Sequence, residues 1–104
     1  MQSNNPKVWM FQIAGVKFAQ YKEAIEAGLM EGDILTLIAE PENEYGQTAV
    51  RIEWEGYKLG YVPKTEVELK RIMMGDNTGY GAKLSVFNPD EVTHRMFTVI
   101  VELP

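Results

Sequence analysis

The stretch "AVRIEWEGYKLGY", Ala49 to Tyr61, decides the fold class. In its first half Val50, Ile52 and Trp54 alternate with Arg51 and Glu53, the two-residue period of a strand with one buried face. Glu55-Gly56 then suits a two-residue hairpin turn. Folding back across that turn pairs Trp54 with Tyr57, Glu53 with Lys58, Ile52 with Leu59 and Val50 with Tyr61. Apolar meets apolar and an acid meets a base, so the hairpin register is self-consistent.

The flanking segments extend the same pattern. "KVWMFQIAGV", Lys7 to Val16, carries the aromatic and β-branched residues of a first strand. "QYKEAIEAG" reads as a two-turn helix with Gly28 at its C-terminal cap. "ILTLIA", Ile34 to Ala39, is apolar nearly throughout and is expected to be a buried strand. A second helix follows Pro63, with Thr65 and Glu68 as a capping box, Leu69, Ile72 and Met73 as its buried stripe and Gly75 as its stop. Lys70 and Arg71 are expected in its last turn, where cations complement the helix dipole. "AKLSVFN" and "MFTVIVEL" are two more strands around the "NPDE" turn. The expected fold is mainly β (α+β), a small six-stranded antiparallel β-barrel with two short helices, rather than a doubly wound sheet.

A chain of 104 residues supports one domain, here spanning 1–104 with residues 1–6 expected to be a flexible N-terminal segment. With no cysteine there is no disulfide framework, thiolate nucleophile or cysteine zinc site, and His94 is the single histidine. No Ser–His–Asp arrangement is arguable, and "GYGAK" at 79–83 lacks the phosphate-loop spacing. Glu40, Glu42 and Glu44 alternate, but Pro41 breaks the geometry and the run reads as a solvated loop, so no metal and no cofactor are expected. No apolar run is long enough to span a membrane, and a cytoplasmic protein is expected. The net charge of −5 opposes non-specific nucleic-acid binding, whose affinity comes mostly from cation–phosphate contacts. Any such site must be local.

One local set fits that requirement. Lys17 and Phe18 follow the first strand, Tyr45 lies in "NEYG", and Tyr61 and Lys64 lie at the junction of strand and second helix. Single-stranded nucleic-acid sites combine such residues, because aromatic faces stack bases at roughly 1–3 kcal/mol each while lysines meet phosphates. Each aromatic also has a structural reading. Tyr61, set beside Val50 by the hairpin register, fits core packing as well as ligand contact, and Phe18 fits a cover over the first helix.

"IAGVKF" at 13–18, "GDILTLIAEPENEYGQTAVRI" at 32–52 and "KLGYVPK" at 58–64, in that order, resemble a HIRAN domain. This module occurs fused to DNA-repair helicases and standing alone in bacteria and phages, and the chain resembles the small stand-alone type. The resemblance implies a modified OB-like β-barrel, a non-enzymatic DNA-binding role and, as ligand, single-stranded DNA with its 3′ end as the favoured target, in repair or replication-fork processing. Carried over by position, it puts a phosphate contact on Lys17, a base stack on Phe18, and further contacts on Tyr45, Tyr61 and Lys64; Phe97 matches a late aromatic more loosely. Gly46 stands where the family usually has Asp, and Glu44 where it has Pro. A glycine cannot accept a hydrogen bond from a terminal hydroxyl as a carboxylate can. The alternative expectation is a protein-interaction module recruiting a helicase or nuclease partner.

Overall fold

The computed structural model describes residues 7–40, 49–75 and 81–103. Among them are six strands, β1 (Lys7–Gln12), β2 (Ile34–Glu40), β3 (Ala49–Trp54), β4 (Tyr57–Tyr61), β5 (Gly81–Phe87) and β6 (Phe97–Leu103). Every pairing is antiparallel, and the order across the sheet is β1-β6-β5-β2-β3-β4. The sheet curls into a half-barrel, in keeping with the small OB-like β fold expected. Its two edge strands approach at one point just beyond β1. There Ala14 and Tyr61 form an isolated bridge with both N–H···O distances at 2.9 Å.

Two bulges supply the curl. In β4, Ile52 faces Gly60 while Glu53 faces Lys58, leaving Leu59 as the extra residue; in β5, Leu84 faces Val99 while Val86 faces Thr98, leaving Ser85 over. An extra residue on one strand bends it and increases its twist. Inside, Phe97, Ile13, Ile52, Leu59, Leu69 and Leu84 are fully buried, and Phe87 stacks on Phe97 with ring centroids 5.3 Å apart. Packing among large apolar side chains of several strands is what holds so short a sheet closed.

The hairpin at Glu55-Gly56 forms as expected, with both residues at positive φ (48° and 84°), the type I′ geometry that matches strand twist. Trp54 stacks on Tyr57 and Glu53 faces Lys58. Beyond these pairs the expected register fails, because the bulge moves Ile52 opposite Gly60 and Tyr61 opposite Arg51 instead of Val50. Strand β2 is also less buried than its composition suggests. Leu35 points inward, but Ile34 is 75% exposed, because the outer face of the half-barrel at that strand is open to solvent.

Helix α1 (Tyr21–Glu26) ends in the cap expected at Gly28, with Leu29 N–H donating to Ala24 and Gly28 N–H to Ile25. Helix α2 (Val67–Gly75) differs at both ends. Its first helical bond runs from Lys70 N–H to the Glu66 carbonyl, so Glu66, not Thr65, is the N-terminal cap residue. It runs on through Gly75, so Lys70 and Arg71 sit mid-helix and not in the last turn. A third helix, α3 (Thr93–Met96), and a 3₁₀ turn at Val16–Phe18 add to the two helices expected. Both are single turns, too short for a 3.6-residue apolar period to reveal. Among the described residues no helix is long and apolar enough to cross a membrane.

Candidate nucleic-acid interface

The 3₁₀ turn is the first part of the site. The chain leaves β1, makes the Ala14–Tyr61 bridge, and turns so that Phe18 N–H bonds the Gly15 carbonyl at 3.1 Å and Ala19 N–H the Val16 carbonyl at 3.0 Å. Val16 is buried and anchors the turn, which leaves its other two side chains outside. Gln20 then ties the turn to β4, donating its N–H to the Lys58 carbonyl (2.8 Å) and accepting the Lys58 N–H on Oε1 (3.0 Å). A turn pinned at both ends holds Lys17 and Phe18 in a defined place. Lys17 Nζ lies 5.0 Å from the centre of the Phe18 ring, within cation–π range.

Phe18 is 82% exposed. It does not cover α1. Met10, Met30, Ile34 and Val67 are exposed too, so exposure alone does not mark a site; what sets Phe18 apart is an open aromatic face with a cation beside it, the pairing a base stack uses.

Tyr61 is the second part, and the β4 bulge decides its role. Cross-strand partners share a face of the sheet, so a register slip of one residue carries a side chain to the opposite face. Facing Arg51 rather than the fully buried Val50, Tyr61 leaves the core face. The same extra residue brings Lys58 and Tyr61, three apart and on opposite faces of a regular strand, onto one side. Lys58 Nζ sits 4.5 Å from the centre of the Tyr61 ring. Lys58 was expected only as the partner of Glu53. The alternation of residues in sequence offered no sign of its position over Tyr61.

Below Tyr61 lies a polar network the sequence did not suggest. The Tyr61 hydroxyl donates to Glu40 Oε1 across 3.4 Å, and Arg51 Nη1 donates to Glu40 Oε2 at 2.7 Å. Arg51 Nε lies 2.7 Å from Glu53 Oε2 but finds no aligned hydrogen-bond acceptor, so that contact is an ion pair without a directed bond. Arg51 thus separates two half-buried carboxylates. Arg51→Met is expected to lower stability by about 1–3 kcal/mol, because both partly buried carboxylates lose their counter-charge. Chemical denaturation checks this; a midpoint equal to wild type would show that the pairing contributes nothing.

Lys64 is exposed in the turn leading to α2 and shares a concavity with Val67, Lys70, Arg71 and Met74 of that helix. Phe97 corrects its expectation: it is fully buried and stacked on Phe87, with no face for a base. Tyr45 and Gly46 lie outside the described residues. The segment that carries them joins Glu40 to Ala49, a cross-strand pair, and Glu40 is the residue the Tyr61 hydroxyl reaches. Glu42 and Glu44 also lie outside the described residues, and His94 is exposed on α3. Among the described residues no three His, Asp or Glu side chains group closely enough to hold a metal ion.

In comparison with known proteins, the family model described as HIRAN domain matches residues 8–104, β1 through the end of the chain. No curated protein and no solved structure matches.

Proposed function

The chain belongs to the HIRAN domain family, which suggests a DNA-binding module, and we propose that this one holds single-stranded DNA without catalysing a reaction on it. Phe18 stacks a base, Tyr61 and, by family position, Tyr45 add further aromatic contacts, and Lys17 and Lys64 meet phosphates. The observation that carries this reading is the exposed Phe18 ring with Lys17 over it, on a turn bridged to the strand that presents Tyr61. Aromatic faces beside cations are what a strand binder needs, and they need no net positive charge on the protein.

Fluorescence anisotropy of short labelled oligonucleotides tests it. Binding is expected at low salt and is expected to weaken with log salt at a slope of about −1.4 to −2.1, from two or three neutralised phosphates at about 0.7 each. A Lys17→Ala plus Tyr45→Ala variant that binds like wild type would overturn the assignment. Because Gly46 offers no side-chain acceptor, oligonucleotides with free and blocked 3′ hydroxyls are expected to bind equally; a strong preference for the free hydroxyl would show that another group reads it.

A second reading, a protein-interaction module for a helicase or nuclease, draws on the outer face of the sheet. There Met10 faces Ile100, Ile100 faces Lys83 and Lys83 faces Ile34, with Met10 61% and Ile34 75% exposed. Retention of such a partner by a variant lacking the five proposed DNA contacts would favour it.

A further inference from the structure

Helix α2 presents a second surface. Its buried stripe is Leu69 and Met73, and on another side Val67, Lys70, Arg71 and Met74 follow one another at helical spacing. With Lys64 they line an open concavity of ≈ 230 Å³. Val67 is 66% exposed at its middle. None of the three cations is ion-paired with a described residue, whereas Lys7 and Arg51 are. Lying mid-helix, Lys70 and Arg71 are not explained by the helix dipole either, whose effect is confined to the end turns. In a chain of net charge −5, three of ten cations gathered around an apolar strip make a local site for a polyanion.

We propose that this surface carries the phosphodiester backbone of the same DNA strand as it leaves the Phe18–Tyr61 pocket, with Lys64 as the hinge between the two. The inference rests on the DNA-binding reading above and extends it to Lys70 and Arg71. Continuity supports the path, since Lys64 follows Tyr61 by three residues, at most about 11 Å of chain. Val67 to Met74 spans about 10 Å of helix, the length of about three stacked nucleotides at 3.4 Å each. Charge and shape favour a nucleic-acid strand over an acidic peptide, because the cations flank an apolar strip on which sugars and bases can lie.

Anisotropy with oligo-dT of about four and about ten nucleotides, sizes within the range of small strand-binding folds, tests the path. The longer oligonucleotide is expected to bind wild type more tightly. A Lys70→Gln plus Arg71→Gln variant is expected to weaken the longer one roughly three- to tenfold and to flatten its salt slope by about 1.4, leaving the shorter one unchanged. Lys22→Gln plus Lys83→Gln, the same charge change on exposed lysines elsewhere, is expected to change neither. If wild type binds both lengths equally, or the α2 variant weakens both alike, the extended path is wrong while the pocket stands. If the shorter oligonucleotide does not bind wild type at all, the pocket and the path fall together. Competition by polyglutamate as strong as by oligo-dT of equal charge would assign the surface to an acidic protein partner instead.

Discussion

Gly60→Ala is expected to lower the melting temperature by roughly 12–24 °C, the equivalent of about 3 kcal/mol in a domain of this size. Gly60 sits at φ 142°, where an L side chain is strained, and a Cβ there would run into the Ala14 carbonyl oxygen and lie 2.6 Å from Ile13 Cγ2. Neither neighbour can give way. Ile13 is fully buried, and the Ala14 carbonyl accepts the Tyr61 N–H in the bridge that joins the two edge strands. Backbone strain and overpacking each cost about 1–3 kcal/mol, so their sum is a large share of a marginal total. Gly56→Ala is the control: it is also at positive φ but has open space around its Cβ position, so its loss is expected to be the smaller by the cost of the clash. Thermal unfolding by circular dichroism measures both. Equal losses at the two positions would show that the close approach of Ala14 is not what Gly60 serves.

Phe18→Ala is expected to leave the melting temperature unchanged and to weaken single-stranded DNA binding roughly 5- to 150-fold, the loss of one base stack at about 1–3 kcal/mol. The separation of the two effects follows from exposure. A ring 82% in water contributes little to the core, and surface replacements away from special features stay within about 0.5 kcal/mol. Phe18→Trp, which keeps a stacking face, is expected to retain binding. An alanine variant that melts and binds like wild type would remove Phe18 from the site; one that unfolds would show that the ring is structural after all.

Much of the fold was legible. Val50, Ile52 and Trp54 alternate with charges, Glu55-Gly56 supplies the turn, and together they imply an antiparallel arrangement before any other contact is known. The strand content, the Schellman-type cap at Gly28 and the family itself were likewise readable from residues near one another in the chain. Single-turn elements were not. A four-residue helix such as α3 has no period to display, and the Thr65–Glu68 spacing does not show that the first helical bond of α2 runs to the Glu66 carbonyl.

For the candidate site the sequence proposed Lys17, Phe18, Tyr45, Tyr61 and Lys64 by residue type and family position, but not which way Tyr61 faces. Period-two reasoning assumes an unbroken ladder, and by that rule Tyr61 belonged with Val50 in the core. Gly60 is where the assumption breaks. It packs against Ala14, forty-six positions away in the chain, beside the bulge that turns Tyr61 outward and sets Lys58 over it. The Arg51–Glu40–Glu53 network and the basic ledge on α2 depend in the same way on which face an element presents. Composition, alternation and turn chemistry act between near neighbours, and by themselves they determined that this chain forms a small antiparallel sheet with short helices. Only the curling of that sheet into a half-barrel, which brings together residues far apart in sequence, decided which aromatic and basic side chains stand together at its surface.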